Sequence, residues 1–264
     1  MGANNKEVTM IEQKALAYVN MYGVLGSLEN LCELDEGAKK IVAGLEKPIA
    51  LCFEVIGGPC CTFKFSNSGC VMTEGKSGAT AKMTFATPAH FNALIEKSIP
   101  GVPTKGPIST MKFLTGPFTE LTNILNDVLR APEDKIQADL ALLEENTLMT
   151  MYVIAGSVAA LANTDSISMI SAEYTPDGDV QMIIPDKASI TIRVKDHKFS
   201  AIKKATDNPR ATMAFADIEL AHGLFAGTVS TINEMCAGRI QIAGMVSMVD
   251  NINRILDRVS VYLA

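Results

Sequence analysis

The same short pattern occurs twice in this chain, 130 positions apart. The segment MYGVLGSLENL begins at Met21 and MYVIAGSVAAL begins at Met151, so Met-Tyr, an aliphatic residue, Gly-Ser and Leu recur at the same spacing. The offset persists further along, where AKMTFATPAHFNALI from Ala81 aligns with ATMAFADIELAHGLF from Ala211. A register kept over so many residues indicates an internal repeat. The chain is therefore predicted to be a tandem duplication.

A third pair of segments sets the length of the repeated unit. TGPFTELTNILNDVL from Thr115 aligns with AGMVSMVDNINRILD from Ala243, now 128 positions apart, which implies that a loop lost two residues. A chain of 264 residues has room for two domains of this size. We expect one unit over residues 1–132 and a second over residues 133–264.

Each half combines helical and strand patterns. It begins with apolar residues at steps of three and four, which predict a helix, followed by short alternating segments bounded by Gly, Asn and Asp, which predict antiparallel hairpins. In the segment Ala188–Asp196 the apolar side chains alternate with polar ones. Such a strand belongs to a sheet with one dry face and one wet face.

Helices are predicted to cover the dry face of each sheet. PAHFNALIEK and IELAHGLFAGTV each begin directly after a strand, with Thr87 and Asp217 in the N-cap positions. Amphipathic segments also occur near the end of each half, from Pro117 and from Val246. The predicted class is α/β (α+β), with two units that each have a mainly antiparallel sheet covered on one face by helices.

Charge and hydropathy exclude several functions. The net charge is −6 and no cluster of Lys and Arg is present, so no nucleic-acid partner is expected. The N-terminal segment is polar, unlike a signal peptide. The most apolar stretch, Leu148–Ala162, is shorter than the roughly 20 residues of a membrane span and predicts a buried helix instead. We therefore expect a cytoplasmic protein.

Catalytic and metal-binding patterns are missing from the sequence. The six cysteines contain no C-x-x-C spacing, and in the adjacent pair Cys60-Cys61 one thiol is expected in the core and one at the surface. The histidines His90, His197 and His222 have no partner at the spacing of a catalytic triad. No catalytic residue, metal ligand or cofactor is predicted.

The order of elements in the second half resembles the sterol carrier protein family of lipid-transfer domains. The likeness rests on the strand-Asp-helix segment from Arg210 and on the strand GRIQIAG, which runs from Gly238 to Gly244. In the first half the corresponding strand is ISTMKFLTG from Ile108, which has no glycine at the position of Gly238. The resemblance implies about five strands per sheet and an apolar tunnel between sheet and helices.

The resemblance also implies a function, which is the non-catalytic binding or carrying of lipids or other apolar small molecules. The second half keeps the family's glycine-flanked strand, so its cavity is expected to be the more open one. Two alternatives stay open: an accessory subunit that holds a partner protein, and a subunit of an enzyme acting on acyl or isoprenoid compounds. Transient contact with a membrane surface and association into a homo-oligomer are further expectations. The predicted lining consists of Ile183, Ile192, Met213, Phe215, Leu224, Phe225, Ile240, Ile242, Ile252 and Ile255.

Overall fold

The computed structural model describes residues 11–96 and 108–263, which form two compact units. The N-terminal unit is Asn20–Thr150, and the C-terminal unit combines residues 11–19 with residues 151–263. Contacts thus divide the described chain at positions 20 and 151. The boundary near Pro132 concerns the duplication of the sequence and stays a prediction.

In the first part of the chain, helices precede and follow one group of four consecutive strands. In chain order the elements are α1 (Gln13–Tyr18), a π-helical segment (Val19–Val24), a 3-10 helix (Leu25–Ser27), α2 (Leu28–Leu34), α3 (Glu36–Ala43), β1 (Ile49–Val55), β2 (Cys60–Ser66), β3 (Gly69–Glu74), β4 (Ala81–Phe85), α4 (Pro88–Ile95), α5 (Ile108–Phe113), a second π-helical segment (Leu114–Phe118), α6 (Thr119–Leu129), α7 (Glu133–Ala138) and α8 (Leu140–Thr164).

The remaining elements follow a similar order, with one further strand before the last helix. They are α9 (Ser168–Glu173), β5 (Gly178–Ile184), β6 (Ala188–Lys195), β7 (Lys198–Ile202), β8 (Ala211–Phe215), α10 (Ile218–Phe225), α11 (Thr231–Cys236), β9 (Ile240–Gly244) and α12 (Val246–Leu263).

The two sheets share one strand order. The described residues of the N-terminal unit form a four-stranded sheet, β3-β2-β1-β4, and those of the C-terminal unit a five-stranded sheet, β7-β6-β5-β8-β9. In each sheet one pair, β1 with β4 or β5 with β8, is parallel and the other pairs are antiparallel. The predicted α/β class with mainly antiparallel sheets is confirmed.

The strand-to-helix junctions follow the predicted caps. The Thr87 hydroxyl accepts a hydrogen bond from the His90 backbone N–H at 3.1 Å, and α4 begins at the next residue. The Asp217 carboxylate accepts one from the Leu220 N–H at 2.7 Å, directly before α10. These oxygens satisfy N–H groups that have no partner inside the helix.

The predicted fifth strand of the first half is wrong. Residues 108–116, which were expected to pair as a strand, lie in α5 and the following π-helical segment, which contains Pro117. Proline has no backbone N–H to donate to a neighbouring strand. The Pro-rich approach at residues 98–107 lies outside the described residues.

The repeated Met-Tyr motif lies in helical backbone in both copies, but the backbone differs. Met21 and Tyr22 are part of the π-helical segment that follows α1, whereas Met151 and Tyr152 lie inside the regular helix α8. Within the described chain α8 is long and apolar enough to cross a membrane, but 78% of its most apolar window is buried in the protein. It is therefore the buried helix that the sequence predicts.

A buried charge network holds together parts of the C-terminal unit that are distant in sequence. Asp165 is fully buried and accepts hydrogen bonds from the Tyr262 hydroxyl at 2.7 Å, the Ser168 N–H at 2.8 Å and the Arg258 guanidinium at 3.1 and 3.3 Å. The Glu12 backbone N–H donates to the Tyr262 oxygen at 3.1 Å. The network joins the residue before α1 to α9 and α12.

Candidate apolar binding site

The dry face of the C-terminal sheet can be followed strand by strand from the pairing register. Val180 and Met182 of β5 oppose Ile192 and Ile190 of β6, and Met182 also lies beside Met213 of β8. Side chains at directly paired positions share a face. We call this face, together with the side chains of α10 and α12 that pack on the sheet, the C-terminal apolar layer.

Most of the predicted lining residues belong to this layer. Phe215 of β8 pairs with Ile240, and Met213 pairs with Ile242, so the register places these residues side by side on β8 and β9. The buried members, each no more than 9% exposed, are Ile192, Met213, Phe215, Ile240, Ile252 and Ile255. Their side chains fill the centre of the layer and leave little surface for water to contact.

Ile183 is a correction to the predicted set. It pairs with Ser189 of β6 and with Ala214 of β8, whose neighbours Met213 and Phe215 lie on the other face. Successive residues of a strand point to opposite faces. Ile183 is therefore half-buried on the polar face of the sheet, and Met182 takes the position in the apolar layer.

The apolar layer is less completely covered at one end, which we call the opening. Leu224, Phe225 and Ile242 are only half-buried. The Phe225 ring lies 5.8 Å from the Phe215 ring in an edge-to-face arrangement, which places this open end beside the buried centre. Phe215 pairs with Ile240 at the start of β9, so the opening lies near the connection from α11.

Helix α11 adds exposed apolar side chains near this opening. Its described residues include none that is buried, and Ile232 and Met235 are 73% and 43% exposed. The helix contacts β9, and Val229 before it lies against Gly223 of α10. We call Val229, Ile232 and Met235 the apolar rim. Adjacent exposed apolar residues of this kind mark binding surfaces in soluble proteins.

In the N-terminal unit phenylalanine rings fill the equivalent space. Phe53 and Met182 occupy the same register position, since they lie beside Met83 and Met213 respectively. Leu51 and Val180 are equivalent in the same way. Leu51 pairs with Phe63 and Val180 pairs with Ile192, so Phe63 takes the place of Ile192. The larger rings occupy volume that the C-terminal unit leaves to smaller aliphatic side chains.

The helix that replaces the fifth strand completes this aromatic packing. Phe113 comes from the segment predicted as a strand and Phe118 from the start of the predicted amphipathic helix, and their ring centres lie 5.1 and 5.9 Å from that of Phe65. Phe118 also lies 6.0 Å from Phe53. We call the connected rings the phenylalanine cluster; it consists of Phe53, Phe63, Phe65, Phe85, Phe91, Phe113 and Phe118.

Four of the six cysteines are buried in the core, where a thiol is a poor nucleophile. Cys61 is fully buried and Cys60 is half-buried, which agrees with one thiol in the core, while Cys236 is exposed. Burial raises the pKa of the Cys32 thiol to about 12 and that of Cys60 to about 11. Thiols with such pKa values stay protonated at neutral pH and react slowly.

The histidines occupy unrelated environments. His90 is exposed on α4 and its ring lies 5.5 Å from the Phe85 ring, His222 is buried in α10, and His197 lies in the exposed turn between β6 and β7. Among the described residues no group of three or more His, Cys, Asp or Glu side chains is arranged to hold a metal ion.

Comparisons with known proteins give similarity only in structure. No protein-family model and no curated protein matches the sequence. A solved UbiJ-SCP2 ubiquinone synthesis protein matches 42% of this chain and 96% of its own, with 10% identity and a TM-score of 0.33. Sterol Carrier Protein 2 Like 2 from Aedes aegypti matches 39% and 94%, with 13% identity and a TM-score of 0.28.

A different kind of protein is also similar. The stereoselective inverting sec-alkylsulfatase Pisa1 from Pseudomonas sp. matches 89% of this chain and 43% of its own, with 9% identity and a TM-score of 0.26. With TM-scores this low, these similarities say nothing about the function of this chain.

Sequence reasoning missed the apolar rim and the phenylalanine cluster. The rim residues lie in the short helix α11, which is too brief to show a helical period in the sequence. The cluster could have been noticed from composition, because seven of the chain's ten phenylalanines belong to it and all precede residue 119. Its members come from strands and helices that only the fold brings together.

Proposed function

We propose that this protein binds an apolar small molecule, such as a fatty acyl chain, in the C-terminal apolar layer and acts as a non-catalytic carrier. One observation supports this most directly: register positions that hold phenylalanine rings in the N-terminal unit hold smaller aliphatic side chains in the C-terminal unit, where Leu224, Phe225 and Ile242 are half-buried. An apolar ligand at the opening would remove exposed carbon surface from water, which stabilises the complex by about 25 cal/mol per Å².

We further infer that the chain arose by duplication of a sterol carrier protein-like unit, with halves 1–132 and 133–264. The repeated sequence blocks and the shared strand order of the two sheets support this inference. In this scheme the C-terminal copy keeps the binding role and the N-terminal copy supplies a packed scaffold. Six free thiols are consistent with a reducing compartment such as the cytoplasm.

A matched pair of variants tests the binding site. Leu224 on α10 and Leu94 on α4 align in the repeat, and both are half-buried. We expect Leu224→Asp to weaken binding of a fluorescent fatty acid to the full chain by at least about tenfold, because a carboxylate would face the apolar ligand without a partner. Leu94→Asp should leave the affinity unchanged, since the phenylalanine cluster leaves no room there.

The readout is a titration of each variant at a temperature where circular dichroism shows it folded. A parent protein that does not bind the probe, or two variants with equal affinity, would refute the proposed site. Detection of a co-purified lipid by native mass spectrometry would then name the natural ligand class.

An accessory role in holding a partner protein is the second candidate. The observation that favours it is the exposure of Met169, Ile170 and Tyr174 in and after α9, at 47%, 60% and 75%. Size-exclusion chromatography of a Met169→Ser, Ile170→Ser variant against the parent measures self-association through this surface. A change in oligomeric state without loss of fatty-acid binding would favour this second role.

A further inference from the structure

A shallow, open pocket lies on the C-terminal unit, away from the apolar layer. It has a volume of about 480 Å³ and lies where β5 begins and β6 ends. Asp179 and Arg193 face each other across these two strands, on the same face as Ile183 and therefore opposite to the apolar layer. The lining residues are Asp177, Gly178, Asp179, Arg193, Val194, Lys195, Asn208 and Arg210.

The two carboxylates of this pocket are already engaged within the protein. Asp179 accepts two hydrogen bonds from the Arg193 guanidinium, at 2.7 and 2.8 Å, and a third from the Thr206 hydroxyl at 2.8 Å. Asp177 accepts a hydrogen bond from the Asp196 backbone N–H at 3.0 Å. The Asp196 amide, together with that of His197, lowers the pKa of Asp177, so this carboxyl is ionised at neutral pH.

Two cations of the pocket form no salt bridge within the described residues, although the charge of Lys195 helps to lower the pKa of Asp177. Arg210 donates one hydrogen bond to the Asp177 backbone carbonyl at 2.5 Å, which is a neutral acceptor, and neither Arg210 nor Lys195 lies within ion-pair distance of a carboxylate there. Arg193 and Asp179 neutralise each other, so Lys195 and Arg210 outweigh the one remaining charge on Asp177. The side chains that line the pocket therefore carry one net positive charge, and Asp196 and Asp207 lie next to lining residues in the chain.

The backbone is shaped to admit the Arg210 side chain. A Cβ atom on Gly178 would lie 2.8 Å from Cδ and 3.1 Å from Cβ of Arg210, closer than packed atoms approach. The φ of Gly178 is +147°, a conformation that side chains disfavour. Glycine at this position lets the Arg210 side chain lie across the start of β5. Arg210 and Asn208 both line the pocket.

We propose that this pocket binds a phosphate group, carried by a phosphomonoester or by a lipid headgroup. A phosphate offers several acceptor oxygens and close to two negative charges, which suit the guanidinium of Arg210, the ammonium of Lys195 and the amide of Asn208 that line this pocket. Arginine in particular matches phosphate with parallel N–H donors. The site lies on the face of the sheet opposite to the apolar layer, so it does not depend on the function proposed above.

The experiment uses the full chain with glycerol 3-phosphate as the soluble probe. Isothermal titration and thermal melts are carried out at constant ionic strength, with potassium chloride as the reference salt. Arg210→Gln removes the guanidinium, and Lys187→Gln removes one cation from the exposed turn at the other end of the β5–β6 hairpin. We expect at least about tenfold weaker binding for Arg210→Gln and no change for Lys187→Gln.

A vesicle arm separates the two sources of phosphate. Vesicles of phosphatidylcholine with and without phosphatidic acid are tested by co-sedimentation with the same variants. Binding of glycerol 3-phosphate identifies a soluble ligand, and Arg210-dependent binding to phosphatidic acid alone identifies a headgroup; both support the site. Should Arg210→Gln unfold, Lys195→Gln serves in its place, because Lys195 is exposed. Equal responses to phosphate and chloride, or equal losses in pocket and control variants, overturn the proposal.

Discussion

Removal of the Asp165 carboxylate is expected to destabilise the C-terminal unit more than any surface change. Asp165→Ala leaves the Arg258 guanidinium, whose side chain is 8% exposed, without its anionic partner. It also removes the acceptor for the Tyr262 hydroxyl and for Ser168. Breaking one side of a buried pair costs about 3–5 kcal/mol, because the remaining charge is held away from water.

This cost can be measured by urea unfolding. With a slope of roughly 2 kcal/mol per M for a domain of this size, a loss of about 4 kcal/mol lowers the midpoint by about 2 M. Asp165→Asn keeps the shape and one acceptor oxygen, so a smaller loss is expected. In the double variant Asp165→Asn, Arg258→Met no buried charge is left unpaired, and much of the stability should return.

The pH dependence of this loss has a defined sign. Burial alone would raise the pKa of Asp165, but the hydrogen bonds from Arg258, Tyr262 and Ser168 outweigh it and hold the pKa below its usual value. A lowered pKa means that the carboxylate contributes stability above the unfolded pKa of about 3.9 and loses it as the pH falls through the folded value. The difference between the parent and Asp165→Ala should therefore begin to shrink as the pH falls below about 3.9 and vanish only below the lower, folded pKa. A constant difference from pH 7 to pH 3, or a cost under about 1 kcal/mol, would refute the reasoning.

Three further predictions follow from burial and backbone geometry. At pH 8 an alkylating reagent should modify exposed Cys236 rapidly and Cys61 only after unfolding, because burial raises the pKa of Cys61 far above its usual value. Mass mapping of the modified peptides measures both rates, and equal rates would contradict this prediction. Gly244→Ala should lower the melting temperature far more than Gly227→Ala. Both glycines have positive φ, but only a Cβ atom at position 244 would collide with a backbone carbonyl, that of Arg210. Equal melting temperatures of the two variants would count against this prediction. Phe215→Asp should weaken fatty-acid binding beyond its stability cost, with Phe215→Leu costing less than about 1.5 kcal/mol, and unchanged binding by folded Phe215→Asp would remove Phe215 from the site.

Much of the fold could be predicted because the same pattern of strands, caps and helices occurs twice in the sequence. The caps Thr87 and Asp217 were recognisable because a short polar residue followed a strand and preceded an apolar helix in both copies. The alternation in Ala188–Asp196 also predicted which side chains of β6 are buried, with one exception. Thr191 was expected on the wet face and is fully buried, with its hydroxyl donating to the Lys204 carbonyl at 2.8 Å.

The errors in the predicted site have local causes. The sequence Met182-Ile183-Ile184 is apolar at three successive positions, so alternation could not decide which residues face the apolar layer, and a shift of one residue exchanges the faces. The strand predicted from Ile108 contains residues that favour strands, but in the fold Phe113 and Phe118 pack among other phenylalanines as part of a helical segment. Tertiary packing of this kind overrides local propensity.

The phenylalanine cluster means that the two units depend differently on their surroundings. The interior of the N-terminal unit is filled by its own phenylalanine side chains, so we expect its free energy of unfolding not to change with the concentration of an apolar ligand. A ligand bound at Leu224, Phe225 and Ile242 would instead stabilise the C-terminal unit by RT ln(1 + [L]/Kd), about 2.7 kcal/mol when free ligand is a hundredfold above Kd. The susceptibility of that unit to proteolysis would then fall as ligand supply rises and increase as ligand is depleted, while that of the N-terminal unit stayed constant.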